Sequence, residues 1–172
     1  MSAPVPLLII SGSMGSGKTV MLAEVSILLA QANVAFGAID LDWLSISFPS
    51  DAESRERLMF DNLAAVWPIY AAAGADRLVV ARPLVERAQL QRFRKAIPGA
   101  EPVVCQLEAS IETMEERLRV RETGLLQELG NRPGPFADML RRAHAEDYTV
   151  DNGAGRHITD VAREVLTRPG WL

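Results

Sequence analysis

Apolar and amphipathic segments alternate along the whole chain, a pattern typical of strands and helices around a parallel β-sheet. The first strand is predicted at 7–10, where consecutive aliphatic residues indicate a strand buried on both faces. The other predicted strands are 35–41, 77–81, 102–107 and 148–150. Apolar positions at helical spacing predict helices over 17–32, 53–73, 84–96, 110–122, 136–145 and 158–167. In the first of these we expect Met21, Val25, Leu28 and Leu29 to face inward, and Ser110 is a candidate cap for the fourth. We therefore expect one α/β domain over 1–172, with a five-stranded parallel sheet between layers of helices.

Composition narrows the classes of function. The chain has 172 residues, of which 48% are hydrophobic and 23% charged, as in a folded domain of ordinary size. A net charge of −4 argues against a nucleic-acid partner. The single cysteine, Cys105, excludes an internal disulfide framework and a cysteine-rich zinc site. We find no signal peptide and no apolar run long enough to cross a bilayer, and we expect a cytoplasmic protein with no membrane partner.

The most specific motif follows the first predicted strand. Residues 12–19 fit G-x-x-x-x-G-K-[ST] at every position, between a strand and a helix. Glycines let the backbone curl so that successive N–H groups point toward phosphate oxygens, and the following helix adds its positive N-terminal end. Lys18 is placed to reach the outer phosphates, and the hydroxyl of Thr19 to ligate Mg²⁺. The predicted phosphate-binding residues are Gly12, Ser13, Met14, Gly15, Ser16, Gly17, Lys18 and Thr19.

With this motif the sequence resembles the P-loop nucleoside triphosphate-binding fold. More narrowly it looks like the small kinases of the nucleoside monophosphate kinase type, among them the adenylylsulfate, gluconate and shikimate kinases. The resemblance covers nearly the whole chain in length and element order, and the phosphate loop is its one specific motif. It implies a three-layer α/β/α P-loop fold, a small lid at about 123–135, the cofactors ATP and Mg²⁺, and a small-molecule acceptor.

Two carboxylates, Asp40 and Asp42, follow the second predicted strand. Alternation along an extended chain would put them on the same side, at the sheet edge where such folds bind ligands. Phosphoryl transfer to an alcohol needs one carboxylate to orient the hydroxyl and accept its proton, and negative charge near the metal. We assign both acids to catalysis, and we assign Asp42, together with Thr19, to metal binding. The spacing leaves open which of the two acids is the base. Ordinary loop acids that end a strand are the alternative reading.

The resemblance is imperfect at two places. The kinases that the chain resembles often carry D-x-D after the second strand, but adenylylsulfate kinases have glycine where this chain has Leu41, so that substrate is not supported. Many P-loop hydrolases place an aspartate after the third strand, whereas here Arg82 follows it, and Glu108 is only a weak substitute. This departure argues against a motor or a GTPase switch. Arg82 is either a contact for an anionic acceptor or a solvated arginine.

Arginines are concentrated at the end of the helix predicted over 110–122. Arg117 and Arg121 are four residues apart and share a helix face. In the kinases that the chain resembles, arginines here begin the lid; one stacks on the base and others contact the transferring phosphate. We therefore place Arg117 and Arg121 among the catalytic residues, with Arg132 as a weaker candidate. The alternative is a helix surface on which neighbouring glutamates neutralise these arginines.

The acceptor region is expected between Phe48 and Tyr70. Its polar candidates are Arg55, Arg57 and Asn62, and an apolar wall is predicted from Trp43, Phe60 and Trp67, although the helical stripe favours Trp67 as core. After the last strand, the backbone at Gly153 and Gly155 is expected either to approach the adenine edge, as the resemblance implies, or to form a plain turn.

These observations predict an ATP- and Mg²⁺-dependent kinase that phosphorylates a hydroxyl of a small metabolite. Lys18, Asp40, Asp42, Arg117 and Arg121 are its predicted catalytic residues. The alternative is a nucleotide-binding regulatory or interaction protein with slow or no turnover, which would use the same phosphate loop.

Overall fold

Five parallel strands form one sheet in the computed structural model, which describes residues 4–124 and 132–172. The strands are β1 (Val5–Gly12), β2 (Gly37–Asp40), β3 (Leu78–Ala81), β4 (Ala100–Glu108) and β5 (Tyr148–Asp151). The helices of the described part are α1 (Lys18–Gln31), α2 (Ala52–Ala72), α3 (Leu90–Ala96), α4 (Ile111–Arg121), α5 (Pro133–Ala143) and α6 (Ile158–Thr167). Two 3₁₀ turns, Leu41–Ser45 and Arg87–Gln89, complete the described elements.

The strand order is β2-β3-β1-β4-β5, and every pair is parallel. From β1 the chain crosses to β2 and returns through β3, and it then passes over β1 to β4 and β5, so the direction of winding reverses between β1 and β3. In open parallel sheets a ligand crevice forms at that point, beyond the carboxyl ends of the strands. The sequence prediction of a three-layer α/β fold with five parallel strands is confirmed.

Alternation along the strands divides the core into two layers. Leu7 and Ile9 face α2 and α3, and Leu8 and Ile10 face α1 and α6. The predicted inward residues of α1 are all buried: Met21, Val25, Leu28 and Leu29. Trp67 is 8% exposed and belongs to the layer under α2, which confirms it as core.

Two predicted elements are shorter than the sequence suggested, because side chains accept hydrogen bonds from backbone N–H groups at one end of each. Strand β2 ends at Asp40, not at residue 41, because the Asp40 carboxylate accepts a hydrogen bond from the Asp42 N–H and starts a 3₁₀ turn. The helix predicted over 84–96 is regular only from Leu90. The Leu84 N–H donates to the Ser11 hydroxyl, and Gln89 Oε1 accepts from the two N–H groups that follow Leu84.

Helix α4 begins after Ser110, whose hydroxyl accepts from the Thr113 N–H at 3.2 Å, as expected for a helix cap. The predicted lid at 123–135 falls largely on 125–131, which lies outside the described residues. Helix α5 begins at Pro133, three residues earlier than predicted, because the first turn of a helix tolerates residues without an N–H. Over the residues that the structure describes, we find no helix able to span a membrane.

Candidate active site

The phosphate loop, residues 12–19, joins β1 to α1 at the carboxyl edge of the sheet. Gly15 has φ 76°, and a Cβ there would lie 2.5 Å from the Met114 carbonyl oxygen of α4. Gly17 has φ 98°, and a Cβ there would lie 2.6 Å from Asn152 Nδ2. Both positions therefore require glycine for two reasons: the backbone is left-handed, and neighbouring elements leave no room for a Cβ atom. The Ser13 hydroxyl donates to the Pro133 carbonyl at 3.0 Å, which ties the loop to α5.

Lys18 lies at the mouth of this loop. Its Nζ donates to the carbonyls of Gly12 at 3.0 Å and Ser13 at 3.1 Å. Burial lowers the pKa of Lys18 below its ordinary value, while the charges of Asp42 and Asp40 act in the opposite direction. The ammonium is thus held between the loop backbone and two carboxylates, where a polyphosphate chain would complete its coordination.

The acidic pair divides its contacts between two sides of the site. The Thr19 hydroxyl donates to Asp40 Oδ2 at 2.7 Å, whereas Asp42 Oδ1 lies 3.7 Å from an Arg82 guanidinium nitrogen. The sequence argument put both acids on one side of an extended strand. That argument is wrong, because the strand ends at Asp40 and Asp42 already belongs to the 3₁₀ turn. The turn still leaves both close enough to Lys18 to raise its pKa.

Partial desolvation in the cleft raises the pKa of Asp42 above its usual value, and the charge of Asp40 raises it further. Lys18 and Arg82 lower it. A carboxylate that is partly desolvated and more basic than usual is well suited to accept a proton from an alcohol. The sequence prediction assigned Asp42 to the metal, but the acid hydrogen-bonded to Thr19 is Asp40, so we consider Asp40 and not Asp42 as the carboxylate on the metal side.

Arg82 is held by a carboxylate network that the sequence did not reveal. Its guanidinium lies 3.9 Å from Glu56 Oε1 as well as near Asp42. Glu56 also pairs with Arg92 at 2.9 Å and accepts from Gln89 Nε2 at 3.1 Å. Arg82 is therefore not a freely solvated arginine. Glu56 gave no signal in the sequence because an acid within a helix is an ordinary surface residue.

Arg117 reaches from α4 to the phosphate loop. Its guanidinium donates to the Asn152 carbonyl at 2.8 Å and makes longer contacts of 3.4 Å with the carbonyls of Gly15 and Ser16. Asn152, which is 3% exposed, donates its side-chain amide to the same Ser16 carbonyl at 2.8 Å. Asn152 directly follows β5, and its position at the carboxyl edge of the sheet is the one sequence signal that could have pointed to the site.

Arg121 and the acceptor candidates lie around this centre. Arg121 is on the same face of α4 as Arg117, 63% exposed at its side chain, and close enough to Lys18 to lower its pKa. Asn62 donates to the Leu44 carbonyl at 2.8 Å and so fixes the turn after Asp40. Of the predicted apolar wall, Phe60 and Trp67 are buried, but Trp43 is 72% exposed. Phe60 packs edge-to-face on Phe93 and belongs to the core.

No family model matches the chain, and no curated protein does so either. Solved structures do. An unliganded sugar kinase from Janibacter sp. matches with a TM-score of 0.61 and 16% identity, over 95% of this chain and 94% of that one. The tunicamycin resistance protein of Deinococcus radiodurans matches with a TM-score of 0.63 and 18% identity, over 98% and 97%.

The APS kinase of Mycobacterium tuberculosis, solved with AMPPNP and APS, matches with a TM-score of 0.62 and 19% identity, over 96% of this chain and 98% of that one. Both chains of each pair are covered almost completely, so the likeness concerns the whole domain and not the phosphate loop alone. The protein therefore has the fold of the P-loop small-molecule kinases.

Proposed function

We propose that the protein transfers the γ-phosphoryl group of ATP to a hydroxyl of a small molecule. The observation that carries this proposal is the convergence of Lys18, Thr19, Asp40 and Asp42 at one end of the phosphate loop. The kinases with the same fold support the reaction class.

Lys18 and the loop N–H groups stabilise charge on the β- and γ-phosphates. The Thr19 hydroxyl and the Asp40 carboxylate offer hard oxygen donors 2.7 Å apart, which suits Mg²⁺. No cluster of three or more acidic, histidine or cysteine side chains able to hold a metal occurs among the described residues. Mg²⁺ would thus be held by the Thr19 hydroxyl together with phosphate and water oxygens. Asp40 would orient that hydroxyl by accepting its hydrogen bond. When bound, the ion neutralises charge on the phosphates.

Asp42 orients the acceptor hydroxyl and takes its proton. The hydroxyl oxygen bonds to the γ-phosphorus as the bond from phosphorus to the β,γ-bridging oxygen breaks, and ADP leaves. Arg82 lies 3.7 Å from Asp42 and, like Lys18, favours its charged form, so both cations help to hold this carboxylate in the site. Arg121, whose charge lowers the pKa of Lys18 and whose side chain is 63% exposed, is our candidate to contact the transferring group.

A panel of small hydroxyl compounds incubated with γ-labelled ATP and Mg²⁺ tests this function. We expect label on a small acceptor, and its loss in Asp42→Asn with nucleotide binding retained, because the variant removes the proton acceptor alone. Asp76→Asn is the control, since Asp76 pairs with Arg77 ahead of β3, at the opposite edge of the sheet. Nucleotide binding without label on any acceptor would contradict the kinase and favour a regulatory nucleotide-binding protein.

A further inference from the structure

The carbonyl group of Ser16, in the phosphate loop, is held by side chains from two other elements. Asn152, directly after β5, donates its side-chain amide to this oxygen at 2.8 Å, and Arg117 on α4 makes a longer contact of 3.4 Å with it. Arg117 also donates to the Asn152 carbonyl at 2.8 Å, so the two residues hold each other. We call Arg117, Asn152 and the Ser16 carbonyl the Ser16 bracket.

Asn152 is fixed in place by its own backbone. Its N–H donates to the Glu108 carbonyl at 2.7 Å, and the Gly153 N–H closes the following turn by donating to Asp151 Oδ1 at 3.0 Å. A Cβ atom on Gly17 would lie 2.6 Å from the Asn152 amide nitrogen, so this amide packs directly against the phosphate loop. Asn152 is only 3% exposed, and its effect on a bound ligand must therefore pass through the loop.

The Ser16 bracket sets the direction of the peptide group between Ser16 and Gly17. In a trans peptide the carbonyl oxygen and the N–H point in opposite directions. Because the Ser16 carbonyl is directed at Asn152, the Gly17 N–H is directed away from the bracket, toward the inside of the loop. Gly17 has φ 98°, a conformation that glycine permits but does not enforce. The bracket supplies the restraint that a glycine backbone lacks.

Arg117 is committed to backbone carbonyls with both of its terminal nitrogens. One contacts the carbonyls of Gly15 and Ser16, each at 3.4 Å, and the other donates to Asn152. To reach a transferring phosphate, the guanidinium would have to leave these three carbonyls, and hydrogen bonds that involve a charged group are costly to break. Its geometry favours a role in holding the loop.

We propose that Arg117 and Asn152 are positioning residues, which aim the Gly17 N–H at the phosphate chain and so set the affinity of the loop for a polyphosphate. This role rests on the proposed function, since it assumes that the loop holds a triphosphate. It differs from the catalytic role that the sequence predicts for Arg117, because the arginine then acts through the loop backbone and touches neither the base nor the transferring phosphate.

Calorimetric titrations with the Mg²⁺ complexes of ATP and of inorganic tripolyphosphate, which has no base, separate these roles. We expect Arg117→Met and Asn152→Ala each to weaken both ligands by the same factor, roughly tenfold, the scale of one net hydrogen bond. Because the two residues hold the same carbonyl, the double variant should lose less than the product of the two single losses.

Two further variants of α4 sharpen the comparison. Arg117→Lys should recover part of the lost affinity for both ligands, because an ammonium can still donate to one of the carbonyls. Arg119→Met is the control and should change neither affinity, since Arg119 is 70% exposed on the same helix and pairs with Glu116. Thermal unfolding of every variant sets a titration temperature at which all of them are folded. Should Asn152→Ala not fold, the two Arg117 variants carry the same test.

Loss of ATP affinity with unchanged tripolyphosphate affinity in Arg117→Met would assign this arginine to the base and overturn the proposal. Unchanged affinity for both ligands would overturn it as well, because an arginine that acts only on the transferring group need not affect binding. Losses that multiply in the double variant would show that the two residues do not act on one carbonyl. Failure of both ligands to bind the unmodified protein would instead refute the proposed function.

Discussion

The hydrogen bond between Thr19 and Asp40 allows the magnesium environment to be tested separately from the nucleotide. Asp40→Asn keeps the shape of the side chain and one oxygen for the Asp42 N–H, but it removes the anionic acceptor of the Thr19 hydroxyl. A hydrogen bond to a charged group contributes about 1.5–3 kcal/mol. At about 1.4 kcal/mol per factor of ten, its loss corresponds to a roughly 10- to 150-fold effect.

We therefore expect the gain in ATP affinity on adding Mg²⁺ to shrink by about this factor in Asp40→Asn, while binding in EDTA changes little. Titration with a fluorescent ATP analogue in saturating Mg²⁺ and in EDTA measures both quantities. The control, Asp76→Asn, removes the same charge at the other edge of the sheet and should keep the full magnesium effect. An undiminished magnesium effect in Asp40→Asn, or an equal loss in EDTA, would refute the assignment of Asp40 to the metal side.

Two further predictions concern the fold. Leu63→Ala should lower the free energy of unfolding in urea by about 2–5 kcal/mol, because Leu63 is 0% exposed. The control, Ile69→Ala, changes a residue that is 69% exposed on the same helix and should alter this free energy by no more than about 0.5 kcal/mol. Equal effects of the two variants would contradict the packing of α2. Burial raises the pKa of Cys105 to about 12, so the native thiol should resist a disulfide reagent at pH 8 and react on unfolding. The thiol of the unfolded protein ionises at lower pH than the native thiol, so Cys105 should lower the free energy of unfolding as the pH rises from about 9 toward 12. Rapid labelling of the native protein at pH 8 would contradict the burial of Cys105.

The fold was predictable because its signals are local and repeated. The aliphatic run at β1, the cap at Ser110 and the apolar stripe of α1 each act within a few residues, and the structure confirms each of them. The interrupted start of α3 was not predictable, because it depends on a hydrogen bond from Leu84 to Ser11, more than 70 residues away in sequence.

The candidate site divides in the same way. Sequence spacing predicts a phosphate loop, because all the groups of that motif lie on one continuous segment. It did not separate Asp40 from Asp42, because their surroundings depend on a 3₁₀ turn and on Arg82 from another strand. Asn152 and Glu56 were missed for the same reason, since each matters only through partners from distant segments.

Binding of ATP at the phosphate loop is the claim on which the rest depends. Calorimetric titration of Mg²⁺–ATP into the unmodified protein, Lys18→Ala and Lys95→Ala tests it most directly, because Lys95 is the only other lysine and is exposed on α3. The account predicts one-to-one binding that Lys18→Ala abolishes and Lys95→Ala leaves unchanged. An absence of binding to the unmodified protein, or equal binding by all three, would contradict it.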